Sequence, residues 1–291
     1  MPDSNRGRFV WHELMTTDPD SAVRFYTKVI GWKIQSSPDP SYRMWATGKG
    51  TVGGLMGLPP GAASPPPNWL PYIAVPDVDA TVSQVQALRG RSIVPPKDIP
   101  GIGRFAVLAD PQGAGFAIFR AAPGGTPPDE HSPGGFNWHE YVATDWKAGW
   151  EFYRALFGWE HESSLDMGPA GTYFMYKLAG TERAIGGFYK KETPGPSAWL
   201  CYVLVPSADR GAQAVTAAGG RILNGPMEVP GGSRIVMCAD PQGAGFAMVS
   251  PAPKPTAARK PKKQAAKKRP AKKKKPAKKT SAKKKSKKRR R

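Results

Sequence analysis

An internal repeat is the feature of this chain that most limits its possible folds. Three blocks recur in the same order: Phe9–Ile34 with Phe136–His161, Trp69–Ile93 with Trp199–Leu223, and the identical nonamer ADPQGAGFA at Ala109–Ala117 and Ala239–Ala247. The first pair shares ten of 26 residues, and the two nonamers begin 130 residues apart. Because solenoid repeats are only about 20–50 residues long, this period predicts two tandem copies of one small module.

The repeat also predicts the domain organisation. A chain of 291 residues is long enough for two ordinary domains. We assign 1–122 to the first module, 123–135 to a linker rich in Pro and Gly, 136–253 to the second module and 254–291 to a tail of different composition.

Within each module the residue pattern predicts an α+β fold. In the first module, Asp18 is a good helix N-cap, Pro19 suits the first helical position and Gly31 suits the position after the helix. Apolar runs before and after this helix predict strands, and the DPQG sequence of the nonamer suits a turn between two of them. We therefore expect two tandem βαβββ modules, each a mixed sheet with its helices on one face.

Positive charge is concentrated at the C-terminus. The chain has 43 Lys and Arg and 22 Asp and Glu, and 22 of the basic residues but no acidic residue fall in 254–291. The rest of the chain is nearly neutral, with 21 basic against 22 acidic residues. A segment so rich in Lys, Ala and Pro cannot bury enough apolar surface to fold alone, so we expect a disordered tail.

The tail resembles the Lys/Ala/Pro tails of linker histones and of bacterial nucleoid-associated proteins. Such a segment binds phosphates through charge and does not read base sequence. We expect nucleic acid or another polyanion as its partner, with a solubility role or adhesion to anionic lipid as alternatives. The candidate nucleic-acid contacts are Lys262, Lys263, Lys267, Lys268, Arg269, Lys272, Lys273, Lys274, Lys275, Lys283, Lys284, Lys285, Arg289, Arg290 and Arg291.

The cysteines and the N-terminus bear on the compartment. Cys201 and Cys238 lie in apolar runs and are expected to be buried thiols in a reducing compartment, with a disulfide as the alternative. The N-terminus lacks the apolar stretch of a signal peptide, and no segment approaches the roughly 18 apolar residues of a membrane span. We expect a cytoplasmic protein without a membrane span, associated with the nucleoid if the tail binds DNA.

The repeated motifs resemble the vicinal oxygen chelate superfamily, which contains glyoxalases, bleomycin-resistance proteins and ring-cleaving dioxygenases. The resemblance rests on W-x-E-L-x-T-x-D followed by F-Y and G-W, then V-P-D-x-D-A, then A-D-P-Q-G-A-x-F-A. It covers about 1–253, and the chain is most similar to the two-module glyoxalase-like proteins. The resemblance implies curled sheets around a cup that holds the active site.

The resemblance also implies positions for metal ligands, and the chain departs from the family at all of them. The family's first-strand ligand, seven residues before the Asp that starts the first helix, corresponds to Trp11 and Trp138. Its last-strand Glu corresponds to Ala117 and Ala247. None of these side chains can bind a divalent ion. We therefore expect no metal or other cofactor, which argues against glyoxalase I and dioxygenase chemistry.

The sequences WHEL at Trp11–Leu14 and WHEY at Trp138–Tyr141 lie in predicted strands. Strand alternation separates their residues onto two faces. The side chains expected to face the cup and bind a ligand are Trp11, Glu13, Met15, Trp138, Glu140 and Val142. His12 and His139 fall on the opposite face, where a buried histidine usually holds a backbone carbonyl. They become alternative metal ligands only if a β-bulge turns them inward.

Glu13 and Glu140 have three open interpretations. A carboxylate in an apolar pocket can act as a catalytic general base. It can also hold a cationic ligand with help from the neighbouring tryptophan. The structural alternative is an ion pair with Arg43, Arg104 or Arg234.

These patterns together predict a metal-independent protein that binds, or transforms, a small molecule in its cup. Whether it is an enzyme stays open; the expected class would be a glyoxalase-like lyase or a hydroxylase or dioxygenase-like enzyme. One alternative is a nucleoid-associated accessory protein with a non-catalytic body. Another is a divalent-metal lyase or dioxygenase with a different ligand set. The modules can pair within a monomer, or the chain can form a homodimer.

Overall fold

The computed structural model describes residues 5–58, 65–124, 132–192 and 195–252, together with positions 277 and 281. A compact unit spans 1–253.

The first module comprises β1 Phe9–Thr16, α1 Pro19–Val29, β2 Lys33–Ser36, β3 Tyr42–Thr47, β4 Gly50–Gly57, β5 Asn68–Ala74, α2 Val78–Ala87, β6 Arg91–Ile99, β7 Gly103–Ala109 and β8 Gly115–Ala121. The second comprises β9 Phe136–Ala143, α3 Trp146–Phe157, β10 Glu160–Asp166, a 3-10 turn at Gly168–Ala170, β11 Thr172–Lys177, β12 Ala184–Lys190, β13 Ala198–Leu204, α4 Ala208–Ala217, β14 Arg221–Glu228, β15 Arg234–Ala239 and β16 Gly245–Ser250.

Each module forms one eight-stranded mixed sheet. The strand orders are β2-β3-β4-β1-β5-β8-β7-β6 and β10-β11-β12-β9-β13-β16-β15-β14. In the first sheet β1 pairs parallel to β4 and antiparallel to β5, and β5 pairs parallel to β8. Each sheet therefore joins two βαβββ units side by side. The predicted α+β fold with two tandem modules is confirmed, and each module holds two such units instead of one.

The predicted helix signals act as expected in the first module. The Asp18 side chain accepts a hydrogen bond from the backbone N–H of Ser21, Pro19 occupies the first turn, and Gly31 has a φ of +87° just after the helix. Asp145 caps α3 in the same way. These local signals fix where the helix leaves β1 and therefore which face of the sheet it covers.

The helix-covered faces of the two sheets pack against each other and form the main core. One cluster joins α1 of the first module to α4 of the second, and the other joins α2 to α3. Phe25, Tyr26, Phe152 and Tyr153 are at most 5% exposed, as expected for core aromatics. The two modules of one chain therefore share a core. Among the described residues, no helix has the length and hydrophobicity to cross a membrane.

The identical nonamers serve this interface between the modules. Asp110 accepts hydrogen bonds from the amides of Gln112 and Ala114 in its own turn and from the hydroxyls of Tyr141 and Tyr153 in the second module. Because buried polar groups need partners, these four donors allow the Asp110 carboxylate to be buried between the modules. Asp240 has a similar arrangement and accepts from Tyr26 of the first module at 3.2 Å.

Candidate functional site

Each sheet has a face opposite the helices, and we call these faces cup 1 in the first module and cup 2 in the second. A single cross-strand row in cup 1 contains Trp11 of β1, Tyr72 of β5, Ala117 of β8 and Val107 of β7. The equivalent row in cup 2 contains Trp138, Tyr202, Ala247 and Met237. Because neighbouring strands lie about 4.8 Å apart, the residues at the family's metal-ligand positions are close together in each cup.

The side chains at those positions do not fit a metal ion. Ala117 and Ala247 are fully buried and have no donor atom. The indole N–H groups of Trp11 and Trp138 donate to the hydroxyls of Tyr42 and Tyr173 at 2.9 and 2.8 Å. A pair of tryptophan and alanine supplies none of the oxygen, nitrogen or sulfur donors that divalent ions need.

Cup 1 carries a buried carboxylate beside this row. Glu13 is 7% exposed, and its carboxylate accepts a hydrogen bond of 2.7 Å from the hydroxyl of Tyr72. The Tyr42 hydroxyl lies near enough to Glu13 to lower its pKa and accepts a hydrogen bond from Trp11, so it lies between the carboxylate and the tryptophan. The result is a connected network of one acid, two tyrosines and one tryptophan.

Cup 2 repeats the network with equivalent residues. The hydroxyls of Tyr173 and Tyr202 each donate to Glu140 at 2.7 Å, one to each carboxylate oxygen. Trp138 donates to Tyr173, as Trp11 does to Tyr42. Tyr189 stacks on Tyr173 with ring centroids 5.9 Å apart. Two copies of one polar network therefore lie in otherwise apolar cups.

Burial determines the protonation of these groups. Desolvation raises the pKa of Glu13, and it raises the pKa of Glu140 to about 6, while the tyrosine hydrogen bonds oppose both shifts. Desolvation, followed by the nearby glutamates, also raises the pKa values of the tyrosines. The tyrosines therefore stay neutral donors, and the glutamates exchange protons closer to neutral pH than an exposed carboxyl does.

Two glycines make room for the tyrosines. A Cβ atom on Gly54 of β4 would lie 1.9 Å from the Tyr42 hydroxyl oxygen, and one on Gly187 of β12 would lie 2.4 Å from Cζ of Tyr173. Both distances are far shorter than a van der Waals contact. The Gly-Gly pairs of β4 and β12 therefore let a tyrosine of the adjacent strand lie flat over the sheet.

Partly exposed apolar side chains surround the networks. Around the buried Tyr72 and Ala117, the half-buried side chains of cup 1 are Val10, Trp11, Met15, Phe105, Val107 and Phe119. In cup 2, Trp138, Val142, Met237 and Val249 are also only partly buried. An apolar lining with a few convergent polar groups is typical of a small-molecule site.

The structure places His12 and His139 outside both cups. A bulge does interrupt β1, but it lies between Phe9 and Trp11 and leaves His12 on the helix-covered side. There the Nε2 atom of His12 lies 2.7 Å from that of His139, and both residues are 2% exposed. The two rings therefore bind each other through Nε2, and the interpretation of each histidine as a holder of a backbone carbonyl through its other nitrogen stays a prediction.

The ion-pair interpretation of the two glutamates was wrong. Arg43 pairs with Asp20, Arg104 with Asp79 and Asp98, and Arg234 with Asp209. These arginines lie on the outer parts of the sheets and reach acids at helix N-termini or on neighbouring strands. The disulfide alternative is wrong as well, since Cys201 and Cys238 are buried free thiols. The basic residues proposed to bind nucleic acid, Lys262 to Arg291, lie outside the described residues.

Sequence reasoning missed the tyrosines of both networks. The repeat contained the signal, because Tyr72 and Tyr202 align in the WLPYIAV and WLCYVLV blocks. Tyr42 and Tyr173 also align, each two residues before a methionine in β3 and β11. A polar residue that occurs in both copies of the repeat and faces the cup in each is a candidate site residue. Comparing the two copies shows such a residue, whereas strand alternation within one copy does not.

Two βαβββ units joined in one mixed sheet, repeated in both modules, are the defining architecture of this chain. The family model of the Glyoxalase/Bleomycin resistance protein/Dioxygenase superfamily matches residues 8–118 and 135–248. The chain belongs to this superfamily.

Similar proteins agree with this assignment. CFP32 of Mycobacterium tuberculosis, whose name assigns it provisionally to the glyoxylases, is 34% identical over 252 residues, which cover 84% of this chain and 95% of the relative. The anthracycline biosynthesis protein DauV of Streptomyces sp. strain C5 is 29% identical over 262 residues, covering 84% and 93%.

Solved structures show the same fold at low sequence identity. The Mn(II)-bound glyoxalase of Novosphingobium aromaticivorans has a TM-score of 0.60 and 17% identity, covering 84% of this chain and 82% of that one. The 2,2',3-trihydroxybiphenyl 1,2-dioxygenase of Sphingomonas wittichii strain RW1 has a TM-score of 0.61 and 13% identity, covering 84% and 90%. These similarities concern the fold alone.

Proposed function

We propose that each cup binds a largely apolar small molecule and that a hydrogen-bond donor on this molecule reaches Glu13 or Glu140. The observation that carries the proposal is the repeated network of acid, tyrosines and tryptophan in a half-exposed apolar surface. A carboxylate has about four lone-pair sites, and Glu140 uses two of them for Tyr173 and Tyr202. A ligand hydroxyl can therefore join the network without displacing a tyrosine.

Different lining residues contribute different interactions with the ligand. Trp11, Met15 and their equivalents Trp138 and Val142 provide apolar contact area. The glutamate orients the ligand, and a hydrogen bond to a charged group contributes about 1.5–3 kcal/mol. Glu13 and Glu140 are also the groups that would accept a proton if the ligand is transformed. We propose no reaction step that uses a metal ion in the cups, because tryptophan and alanine stand where the resemblance implies the metal ligands.

A polycyclic phenol is a suitable first ligand class. The name of the DauV relative concerns anthracycline biosynthesis, and anthracyclines contain a planar aromatic system with phenolic hydroxyl groups. Flat aromatic rings pack well against tryptophan, and a phenol supplies the donor that Glu13 and Glu140 lack. A cationic aromatic ligand held by carboxylate and cation–π contacts is the competing class.

Thermal unfolding of the full chain tests this proposal. A dihydroxyanthraquinone should raise the Tm more than unsubstituted anthraquinone does, with or without EDTA. Glu13→Gln and Glu140→Gln together should remove the difference, whereas Glu182→Gln, at an exposed position, should keep it. Equal shifts with both compounds, or stabilisation that EDTA abolishes, would contradict the proposed role of the glutamates.

The tail supports a second proposal, that 254–291 binds nucleic acid without sequence preference and brings the protein to the nucleoid. The supporting observation is its 22 basic residues without an acidic one, which lie beyond the family match that ends at 248. With this tail we propose the division of the chain into a first module at 1–122, a linker at 123–135, a second module at 136–253 and the tail at 254–291. If about ten phosphates are engaged, affinity should fall roughly 10³–10⁵-fold between 50 and 200 mM salt.

A truncation separates the tail from the body. DNA binding should be strong for the full chain and lost in 1–253, which spans the compact unit. Equal binding by both forms would contradict the proposal and assign nucleic-acid binding to the body. Vesicles of anionic lipid serve as the competing polyanion: a preference for vesicles over DNA at the same charge concentration would also overturn it.

A further inference from the structure

A buried cluster of metal-ligating residues lies between the two modules, away from both cups. His12 of β1 and His139 of β9 are 2% exposed, and their Nε2 atoms are 2.7 Å apart. Cys201 of β13 is fully buried and pairs directly with His139 in the sheet. Among the described residues, this is the one group of three or more His, Cys, Asp or Glu side chains within metal-binding reach, with ligand atoms within 4.8 Å of one another.

The fold holds these rings in place. Phe9 stacks on His139 with ring centroids 3.5 Å apart, and Phe136 stacks on His12 at 3.8 Å. Each phenylalanine comes from the module opposite the histidine it covers. The cluster therefore forms only when the two modules pack together, and its donors are pre-oriented by aromatic neighbours.

The hydrogen bonding of the cluster is incomplete. In a neutral pair, one Nε2 donates to the other, so one Nδ1 carries a proton and the other carries a lone pair. Both Nδ1 atoms are buried and make no well-formed hydrogen bond. The backbone of Val52 and of Ile185 is near enough to raise the pKa values of His12 and His139, but burial outweighs this effect. Unsatisfied buried groups of this kind cost about 1–3 kcal/mol each, and an apolar pair would avoid that cost. Such groups often indicate an ion or a functional requirement.

The two histidines are already in the form that binds a metal, whereas burial raises the pKa of the Cys201 thiol and keeps it protonated without the ion. Burial lowers the pKa of both imidazoles, that of His139 to about 3, so both are neutral at physiological pH. Neutral imidazole and thiolate are the ligating forms of these side chains. The thiol of Cys201 would lose its proton to solvent as the ion binds.

We propose that His12, His139 and Cys201 form a closed three-coordinate site for a single Cu⁺ ion, which fastens the two modules together. Thiolate selects soft ions such as Cu⁺, and three ligands suit its low coordination number. One thiolate balances the charge of one Cu⁺, so the filled site is neutral, whereas Zn²⁺ would leave a net charge in an apolar core and would lack a fourth ligand.

The required movements are small. Metal–nitrogen bonds of about 2.0–2.1 Å and a metal–sulfur bond of about 2.3 Å separate two bound nitrogens by roughly 3.3–3.6 Å. The Nε2 atoms must therefore move apart by less than about 1 Å, and Cys201 must approach by a similar distance. Rotations of the three side chains supply such shifts without moving the strands.

Competition with a chromophoric Cu⁺ chelator under anaerobic conditions tests this site, using the full chain without an affinity tag. We expect one Cu⁺ per chain. Loss of a whole ligand should weaken binding more than about 100-fold in Cys201→Ala and His139→Phe, since even the outer partners of a metal site contribute 10–100-fold. Cys238→Ala removes the other buried thiol and should bind Cu⁺ as the unchanged protein does.

X-ray absorption at the copper edge gives a second readout that folding defects cannot mimic. One sulfur and two imidazole nitrogens around copper are the expected result. The proposal is overturned if the unchanged protein binds no Cu⁺, if Cys201→Ala binds as tightly, or if Zn²⁺ binds this site more tightly than Cu⁺. Near-UV circular dichroism of each variant establishes that it folds.

Discussion

Tyr202 of β13 donates a hydrogen bond of 2.7 Å to the buried carboxylate of Glu140 on β9. Tyr72 and Glu13 stand in the same relationship in the first module. In both modules the tyrosine is directly opposite a tryptophan of the adjacent strand, Trp11 in the first and Trp138 in the second. Each module therefore presents a buried, hydrogen-bonded acid on the sheet face that lies opposite the helices.

The stability of the protein should respond to the ionisation of Glu140. Burial raises its pKa from 4.5 to about 6, so the folded state prefers the neutral acid. The stability that this preference provides is fully present below about pH 4.5 and is lost as pH rises through about 6. Since one pKa unit corresponds to about 1.4 kcal/mol, we expect a loss of about 2 kcal/mol.

Urea unfolding of the protein and of Glu140→Gln measures this effect, in buffers from pH 4 to 8 that contain EDTA. The free energy of unfolding of the unchanged protein should fall by about 2 kcal/mol relative to the variant over this range. Glu13→Gln should give a difference of the same sign. A difference that is flat, or that grows with pH, would contradict the assigned protonation of the cups.

Alanine at Gly187 should displace Tyr173. The new Cβ would lie 2.4 Å from the tyrosine ring, so the ring must move away from Glu140. We expect a loss of about 1–3 kcal/mol in unfolding free energy and a higher pKa for Glu140, because the Tyr173 hydrogen bond lowers it. Gly245→Ala is the matched control, as nothing lies within 4 Å of a Cβ at that strand position. Equal stabilities for the two variants would show that the glycine is not needed for the network.

The two nonamers should differ in what their aspartates contribute. Asp110 accepts from both Tyr141 and Tyr153 of the other module. Among the described residues of the first module, only Tyr26 donates to Asp240, at 3.2 Å. The difference arises because Leu14 stands in the first repeat where Tyr141 stands in the second. Asp110→Asn should therefore destabilise more than Asp240→Asn, by about 1 kcal/mol for the extra hydrogen bond. Denaturant unfolding of both variants checks the order, and the reverse order would be inconsistent with this interface.

The sequence was informative where local rules decide the structure. The caps at Asp18 and Gly31, the repeat and the alternation along β1 placed the helix, the modules and the face of Glu13. The partner of each polar side chain was not predictable in the same way. Tyr72 reaches Glu13 from a strand about 60 residues away, and His12 meets His139 only because the modules pack with their helix faces together. Such contacts depend on strand order and module packing, which no short pattern encodes.

The central claim is that the cups are ligand sites organised by Glu13 and Glu140, and the most direct test is the NMR signal of the indole N–H groups of Trp11 and Trp138. Titration with a dihydroxyanthraquinone should shift both signals, with two ligands bound per chain. Glu140→Gln should abolish the shift of Trp138 and leave that of Trp11, and Glu13→Gln should do the opposite. The claim is contradicted if both signals stay in place while the ligand binds elsewhere. It is also contradicted if each variant shows the same shifts as the unchanged protein, because the glutamates would then not organise the ligand sites.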